Sequence, residues 1–275
     1  MIKVGSCTVL YNPDENVLSN LISYIEKVDT FVIVDNSDKK NKYSIQIMNN
    51  YKDNYIDMHN NVGIAAALNR GIDELYNRGV DYVLTMDQDS VFPKEYYDEI
   101  SKLVNDIKDD FSIIGLNFNH YVKDKSDEIV VVPYWITSGN FVNIKDFIKV
   151  GKFDEKLFID YVDFELCFKM YSNNLKVCYL KDYSLIHSIG NPIPINIFGK
   201  TYYSMNHSVI RYYYRYRNSY YLFKKNKDFF GKLFIKEILI NTPKMLIFEK
   251  NRMCKLRKIA EGLRDGSKEK MGKYE

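Results

Sequence analysis

The stretch VLTMDQDSVFP, residues 83–93, begins as an apolar strand and ends in Asp87, Gln88 and Asp89. Two carboxylates one residue apart point to opposite faces of a regular strand, but where a strand ends the chain curls and both can approach one ligand. Oxygen ligands of this kind suit Mg²⁺ or Mn²⁺ shared with the phosphates of a substrate. The stretch therefore predicts a metal and diphosphate site. The alternative is a surface turn, because the Asp-x-Asp tripeptide is common.

Alternating strands and helices surround this stretch. Apolar and β-branched runs at about residues 3–11, 30–34 and 82–86 predict buried parallel strands. Residues 15–28 and 61–79 space their apolar side chains by three and four, which predicts helices. The alternation indicates an open α/β sheet, and ligands of such sheets bind beyond the carboxyl ends of the strands.

Those carboxyl ends all carry carboxylate or amide side chains, at residues 11–14, 35–38, 59–61 and 87–90. Loops are generally polar, so a single cluster carries little weight, but the whole series predicts one polar binding edge. No GxGxxG follows the first strand, and neither GxxxxGK[ST] nor GxSxG occurs. These absences argue against a dinucleotide-binding fold, a P-loop NTPase and a nucleophile elbow.

The pattern becomes mixed after residue 110. Residues 111–118 and 132–144 predict strands, and the acidic segment 153–173 is expected to turn into a helix. From about residue 200 the spacing is largely helical, with Pro243 as a break.

Charge is unevenly distributed along the chain of 275 residues. Residues 200–275 carry 19 lysines and arginines against 7 aspartates and glutamates, a formal charge of +12, whereas residues 1–199 carry −9. Eight of the 24 tyrosines fall between Tyr202 and Tyr221. A basic, aromatic-rich region suggests contact with membrane headgroups or nucleic acid. The alternative is a solvated helical face whose tyrosines pack on the main domain.

Within this region, the stretch DFFGKLFIKEILI, residues 228–240, places Phe230, Phe234 and Ile238 near one helical face and Lys232 and Lys236 elsewhere. This amphipathic pattern suits a membrane interface. Packing against the catalytic domain and self-association as a homo-oligomer are the alternatives.

The cysteines and the lack of a long apolar run bear on location. Cys7, Cys167, Cys178 and Cys254 have no CxxC spacing, so we expect reduced thiols in a cytosolic protein. No run approaches the roughly 18 apolar residues that span a bilayer, and the N-terminus does not resemble a signal peptide. We expect a cytoplasmic location, with a peripheral position on the inner face of the cell membrane as the more specific hypothesis.

Seven short motifs occur in the order and rough spacing found in inverting glycosyltransferases of family 2, which the chain resembles from about residue 3 to residue 220. The motifs are TVLYNPD, VIVDNSD, NVGIAAALNRGI, VLTMDQDS, ITSGNFVN, FIDYVDFEL and IHSIG, followed by HSVIRYYYRYRNSYYL. The pair MDQDS and FIDYVDFEL resembles the bacterial rhamnosyltransferase branch.

The resemblance implies the GT-A fold, an α/β architecture with a Rossmann-like mixed sheet flanked by helices. It places a catalytic domain at residues 1–200, with a donor-binding part at 1–110 and an acceptor-side part at 111–200. A basic, tyrosine-rich helical region then occupies residues 201–275.

The resemblance also implies a donor site and a metal site. The nucleotide would lie against Thr8, Tyr11, Asp35, Asn36, Ser37, Asn61, Gly63, Asn69 and Arg70. Asp87 and Asp89 match the DxD motif, with Asp89 on Mg²⁺ or Mn²⁺ and Asp87 on the ribose or a metal-bound water. His187 matches a third metal ligand of some GT-A enzymes, the alternative being a hydrogen-bonded core histidine.

An inverting transfer requires a base that takes the proton from the acceptor hydroxyl. Alignment with the glutamate-aspartate motif of the family places Asp163 in that role. Val162 stands where the motif has its glutamate, which leaves open whether Asp160 or Glu165 assists. For these two acids the alternative is a charged face at a helix N-terminus.

The motif ITSGNFVN brings Ser138, Gly139 and Asn140 to a junction of strand and loop, where a small residue such as Gly139 lets a sugar approach the backbone. Trp135, the only tryptophan, is expected to form an apolar wall for a sugar ring. The alternative is that Trp135 is a core residue.

Taken together, the sequence predicts a metal-dependent inverting transferase that moves a sugar from a nucleotide-diphosphate donor to a capsular, cell-wall or lipid-linked saccharide. L-rhamnose from dTDP-rhamnose is the expected donor, and a UDP-sugar such as UDP-galactose, UDP-glucose or a UDP-N-acetylhexosamine is the alternative. A further alternative is a non-enzymatic module in which the tyrosine-arginine region binds single-stranded nucleic acid. The −9 charge of residues 1–199 would repel such a polyanion.

Overall fold

A computed structural model describes residues 2–118, 128–187, 193–197, 200–204 and 206–275. The strands are β1 (Val4–Leu10), β2 (Thr30–Asp35), β3 (Tyr55–Asp57), β4 (Tyr82–Asp87), β5 (Ser90–Val91), β6 (Ile113–Phe118), β7 (Ile129–Val132), β8 (Asn140–Asn143), β9 (Val177–His187), β10 (Ile193–Ile197) and β11 (Lys200–Ser204). The helices are α1 (Val17–Ile25), α2 (Lys42–Asn50), α3 (Ile64–Asn77), α4 (Tyr97–Ile107), α5 (Ile144–Lys149), α6 (Val162–Ser172), α7 (Val209–Lys225), α8 (Lys227–Lys236), α9 (Thr242–Phe248) and α10 (Arg252–Ser267). A π-helical turn, Glu237–Asn241, joins α8 to α9.

Nine of these strands form one mixed sheet in the described part of the chain. Its order is β3-β2-β1-β4-β8-β6-β9-β5, with β7 paired to β9. The three strands predicted first are confirmed, because β1 pairs in parallel with both β2 and β4. On the other side of β4, β8 runs antiparallel. The sheet therefore changes from parallel to mixed at the strand that ends in Asp87.

Apolar side chains on both faces explain why β1 lies at the centre of the parallel part. Every residue of VGSCTVL is buried, as expected for a parallel strand covered on both sides. The helices that follow the strands also match their predicted positions. Helix α3 ends just before Gly79, whose φ of 72° suits a residue without a side chain after a helix C-terminus.

Residues 132–144, predicted as a strand, are strand only at Val132 and from Asn140 to Asn143. Pro133 has no backbone N–H for a ladder, and Gly139 has a φ of 76°, outside the extended region. The segment between them is therefore a loop, and it becomes important at the candidate site. The helical C-terminal part was also predicted to start near residue 200, whereas β11 occupies residues 200–204 and helix begins at Val209.

The chain divides into two compact units. The first unit contains residues 1–155 and 162–188, and the second contains residues 156–161 and 189–275. No helix among the described residues is long and apolar enough to cross a membrane.

The tyrosine-rich stretch forms the interior of the second unit. Tyr212, Tyr213, Tyr214 and Tyr216 are buried, and their hydroxyls bond to polar groups within the unit. Tyr212, for example, donates to Glu249 Oε2 at 2.8 Å. Buried rings cannot stack on nucleotide bases, so these four tyrosines do not form a surface for single-stranded nucleic acid.

The short segment 156–161 has an unusual backbone that the second unit holds in place. Phe158, Asp160 and Tyr161 have φ values of 64°, 64° and 67°, a region that costs a residue with a side chain about 1–3 kcal/mol. The Nδ2 of Asn218 donates to the carbonyls of residues 157, 159 and 160 at 2.8–2.9 Å. Arg211 donates from Nη2 to Oδ1 of Asp160 at 3.0 Å and from Nε to Oδ2 at 3.2 Å, a bidentate contact with that carboxylate. These contacts offset the backbone strain.

Candidate active site

The Asp87–Asp89 loop is tied to the end of β1 through Gln88, the residue between the two carboxylates. The Oε1 of Gln88 accepts from the backbone N–H of Tyr11 at 2.8 Å, and its Nε2 donates to the Tyr11 carbonyl at 3.1 Å. Asn20 of α1 donates to the Gln88 carbonyl at 2.9 Å. With its amide used in this way, Gln88 fixes the backbone from which Asp87 and Asp89 project.

A second set of predicted residues forms one hydrogen-bonded network at the ends of β2 and β3. Asp35 is buried, and its carboxylate accepts from the Tyr55 hydroxyl at 2.5 Å and the Ser37 backbone N–H at 2.9 Å. Burial and the hydrogen bond to Asp35 raise the pKa of Tyr55. Asn36 bonds to Asn61 through Nδ2 at 3.2 Å. Nine residues were implied for the nucleotide, and five of them lie in these two places. Tyr11 bonds to Gln88 of the Asp87–Asp89 loop, and the network contains Asp35, Asn36, Ser37 and Asn61.

Gly63 adjoins the network, because its backbone N–H donates to the Oδ1 of Asn61 at 3.0 Å. Its φ of 93° lets the chain turn there into α3.

Thr8, Asn69 and Arg70 have other partners in the structure. Thr8 is buried and its hydroxyl bonds to the Tyr24 hydroxyl at 2.6 Å. Asn69 is also buried and exchanges hydrogen bonds with the backbone of Phe153, at 3.1 Å in both directions. The exposed Arg70 lies 3.6 Å from Glu74, one turn along α3.

The loop at residues 137–140 connects β4 to the second half of the sheet. Ser138 Oγ accepts from the backbone N–H of Asp87 at 3.1 Å and bonds to Ser90 Oγ at 2.8 Å. Two residues before Asp87, Thr85 donates its hydroxyl to the Thr137 carbonyl at 2.6 Å. The loop therefore lies directly against the residues that flank the two carboxylates.

Gly139 is required in this loop for two independent reasons. Its φ is 76°, and a Cβ placed on it would lie 2.3 Å from Leu185 Cδ1, a buried side chain of β9. A real Cβ does not approach that closely, so either the loop or Leu185 would have to move.

We expect the change Gly139→Ala to lower the free energy of unfolding by about 2–5 kcal/mol, the sum of a left-handed backbone cost and overpacking. Gly79→Ala is the matched control, because Gly79 has a φ of 72° but nothing within 4 Å of its added Cβ. That variant should lose only about 1–2 kcal/mol. Equilibrium denaturant unfolding measures both, and equal losses would show that the Leu185 contact does not matter.

Asp163, the residue predicted as the base, lines a small cavity that this loop also lines. The walls are formed by Thr85, Ile113, Trp135, Thr137, Asn140, Val142, Phe153, Asp163, Leu166 and Cys167. Asp163 is the only carboxylate among them. Burial raises the pKa of the Cys167 thiol to about 12, so this thiol stays protonated at neutral pH and cannot serve as a base.

The carboxylate of Asp163 lies in the first turn of α6, where the helix dipole favours a negative charge. Its Oδ1 accepts from the backbone N–H of Phe164 at 2.9 Å. Glu165 is fully buried and lies 3.0 Å from Lys169. Asp160 belongs to the second unit and is bound by Arg211. Each of these two acids thus has an ion-pair partner of its own.

Trp135 packs inside the first unit, as its core interpretation predicted, and its role beside a sugar stays a prediction. Its ring stacks on Tyr179 with centroids 4.0 Å apart, and its Nε1 donates to the Leu116 carbonyl at 3.0 Å. It is also part of the cavity wall with Asp163. The stacking and the hydrogen bond fix the orientation of the ring in the cavity wall.

The residues at the end of β4 fit a divalent cation by their chemistry. Asp87 and Asp89 offer two hard oxygen ligands, and Mg²⁺ or Mn²⁺ is commonly held by one or two carboxylates together with substrate phosphates. Among the described residues no group of three acidic, histidine or cysteine side chains forms a closed metal site. The backbone of His187 pairs with Ser90, next to Asp89, but its side chain lies outside the described residues.

Two residues of the site, Gln88 and Tyr55, were given no role from the sequence. They act through hydrogen bonds to partners distant in the chain, and no local pattern indicates this. Asn140 was placed at the junction of strand and loop in the ITSGNFVN motif but was not assigned to the site. Its Oδ1 accepts no hydrogen bond from the residues that the structure describes, although the residue is buried and lines the cavity.

Comparison with solved structures defines the class of protein. S. aureus TarS 1-349 in complex with UDP-GlcNAc superposes with a TM-score of 0.63 at 14% identity, covering 98% of this chain and 81% of that chain. GalNAc-T7 with UDP, GalNAc and Mn²⁺ superposes with a TM-score of 0.60 at 11% identity, covering 98% of this chain and 56% of that one. At these identities the likeness establishes the fold, which is the GT-A fold of glycosyltransferases, as predicted.

The sequence comparisons specify the family. The model of glycosyl transferase family 2 matches residues 7–159, and the chain belongs to that family. Among curated proteins, the dTDP-rhamnosyl transferase RfbF of Shigella flexneri is 29% identical over 291 residues, covering 94% of this chain and 93% of that protein. The prediction of a glycosyltransferase is confirmed.

Proposed function

We propose that the protein is an inverting, metal-dependent transferase that moves L-rhamnose from dTDP-rhamnose to a capsular, cell-wall or lipid-linked saccharide. The similarity to a dTDP-rhamnosyl transferase over 94% of the chain supports the donor. The chemistry rests on residues of the first unit, where the donor edge and the candidate base share one loop.

The observation that carries the proposal is the position of residues 137–140. Ser138 contacts the backbone of Asp87 at one side of this loop. Thr137 and Asn140 line the cavity with Asp163 at the other. A transferase must place the leaving diphosphate and the attacking hydroxyl on opposite sides of one anomeric carbon. The loop brings the groups proposed for these two tasks into the same region of the fold.

In the proposed mechanism, Asp89 would hold Mg²⁺ or Mn²⁺, with Asp87 as the second carboxylate and His187 as a candidate third ligand. The ion, when bound, neutralises charge that develops on the leaving diphosphate. Tyr11, Asp35, Asn36, Ser37, Asn61 and Gly63 bind the nucleotide, with Thr8, Asn69 and Arg70 supporting that region. Gln88 keeps the carboxylates of Asp87 and Asp89 oriented toward the nucleotide.

Asp163 takes the proton from the acceptor hydroxyl as that oxygen attacks, so the configuration at the anomeric carbon inverts. Trp135, Ser138 and Gly139 shape the space for the sugar. The Oδ1 of Asn140, which accepts no hydrogen bond from the described residues, is an acceptor that a hydroxyl can satisfy. We assign donor binding to residues 1–110, the acceptor side to 111–200 and a supporting role to 201–275. The enzyme would act in the cytoplasm, peripheral on the inner face of the cell membrane, where lipid-linked acceptors are found.

A donor panel tests this proposal. We expect dTDP-rhamnose to be hydrolysed or transferred in the presence of Mn²⁺ or Mg²⁺ at least tenfold faster than UDP-glucose, UDP-galactose or UDP-N-acetylglucosamine, a ratio that corresponds to about 1.4 kcal/mol. A UDP-sugar preferred over dTDP-rhamnose would keep the enzyme class and overturn the donor. Turnover of no donor with either metal would contradict the proposal as a whole.

A further inference from the structure

An exposed apolar face lies on the helical turns that follow α7 in the second unit. We define it by five large apolar side chains that are 46–68% exposed, namely Ile235, Leu239, Ile240, Ile247 and Met253. Such residues are normally scattered singly over a protein surface, whereas these five fall within 19 residues of one another in the chain. The clustering requires an explanation.

Spacing places most of this apolar face along one side of the helices. Ile235, Leu239, Pro243 and Ile247 recur every four residues, and all four are exposed. At 1.5 Å per residue the row is about 18 Å long. It crosses the π-helical turn Glu237–Asn241, an irregularity that is frequent at functional sites. The row is therefore a continuous ridge rather than a set of isolated side chains.

Positive charge predominates around the apolar face, although the exposed Asp228 and the partly exposed Glu261 flank it in the chain. Residues 229–260 are all described, and their only carboxylates, Glu237 and Glu249, are 4% and 3% exposed. Glu237 bonds to Arg215 at 2.7 Å and Glu249 to Lys255 at 2.5 Å. Both negative charges are thus neutralised in the interior.

The exposed charged side chains of the same stretch are all basic, namely Lys232, Lys236, Lys250, Arg252 and Arg257. A surface that joins large apolar side chains to lysine and arginine, with no exposed carboxylate between residues 229 and 260, matches the interface of an anionic bilayer.

We propose that the apolar face docks on a membrane surface that contains anionic lipid. Its apolar side chains enter the boundary between headgroups and acyl chains, and the surrounding lysines and arginines lie against the lipid phosphates. A second copy of the chain fits less well, because it would bring two sets of positive charges together. Nucleic acid would satisfy the charges but would leave the apolar ridge without a partner.

The docking surface would account for the peripheral membrane location that we propose above. It depends on the proposed function only for which leaflet of the membrane is bound. Binding to vesicles is measured without a sugar donor, and donor hydrolysis is measured without vesicles. A preparation that binds vesicles but hydrolyses no nucleotide sugar would contradict the proposed function alone, and the converse would contradict the docking surface alone.

The experiment is co-flotation of the full chain with vesicles of phosphatidylcholine, with and without phosphatidylglycerol. We expect binding that needs phosphatidylglycerol and weakens with salt. The double variant Leu239→Ser and Ile247→Ser should bind at least tenfold less, because two apolar side chains no longer enter the lipid. Reversing Lys232, Lys236 and Lys250 to glutamate should reduce binding roughly hundredfold or more.

The matched control is Ile45→Ser with Tyr76→Ser, two apolar residues of the first unit that are 45% and 51% exposed. This variant should float as the unmodified protein does. The docking surface is overturned if the unmodified protein does not float, if it floats equally on both vesicles, or if the control and the Leu239/Ile247 variant behave alike. The face would instead be assigned to a second copy of the chain if the unmodified protein does not float but self-associates, and if only the Leu239/Ile247 variant loses that self-association.

Discussion

Changing Asp163 to asparagine should lower the turnover of sugar transfer by about 10²- to 10⁴-fold, the range that a general base contributes. The amide has nearly the same shape as the carboxylate, and its Oδ1 can still accept from the Phe164 backbone N–H, which lies 2.9 Å from the oxygen of Asp163. It cannot take a proton from the acceptor. Donor affinity, measured by calorimetry, should change by less than about threefold, because the loss concerns a proton transfer and not ground-state binding.

The control for this variant is Glu165→Gln, two residues further along α6. Glu165 is buried beside Lys169, so removing its charge should reduce stability by about 3–5 kcal/mol while the folded fraction keeps most of its turnover. Thermal unfolding and steady-state rates separate the two effects. If Asp163→Asn retains normal turnover, or if Glu165→Gln loses as much, Asp163 is not the base.

Replacing Asp89 by alanine should weaken the Mn²⁺-dependent affinity for the donor nucleotide by about 10- to 100-fold or more. That is the loss observed when only the supporting partner of a metal ligand is removed, and a direct ligand should matter no less. In the unmodified protein a chelator should cause a similar drop. The variant should bind the nucleotide weakly whether the chelator is present or not, because the ion that links protein and diphosphate is already lost.

Asp98→Ala is the control for this measurement, because Asp98 is an exposed aspartate in the first turn of α4. Its removal changes the net charge by the same amount without touching the Asp87–Asp89 loop. Calorimetric titrations of both variants with dTDP and Mn²⁺ should therefore differ clearly. Equal affinities for Asp89→Ala and the unmodified protein would exclude Asp89 as a metal ligand.

Sequence reasoning located much of the candidate site because its residues follow strands that local patterns reveal. Asp35, Asn36, Ser37, Asp87 and Asp89 stand at the ends of β2 and β4, and parallel neighbours place such ends at one edge of the sheet. The prediction failed where contacts between distant segments decided the outcome. Residues 132–144 were expected to be one strand, but the loop within them is held by Asp87 and Thr85.

The tyrosine-rich region is a second case in which local sequence could not decide the structure. Its composition suggested either a binding surface or a packed face, and the two have identical local patterns. Only the positions of Glu249 and Asp265, more than 30 residues away, put Tyr212 and Tyr213 inside the second unit. Likewise, nothing local indicates that Asn218 holds the strained residues before α6.

The sequence alone determined the alternation of strands and helices, the family and the order of polar clusters, because these depend on periodicity and on short motifs. The tertiary structure decided which polar side chains lie inside the fold and which line a cavity, as with Thr8 bonded to Tyr24 and Asp163 in the cavity wall. It also decided that Glu237 and Glu249 face inward, which gives the surface between residues 229 and 260 its positive charge. Such outcomes depend on contacts between residues far apart in the chain, and only the folded structure specifies them.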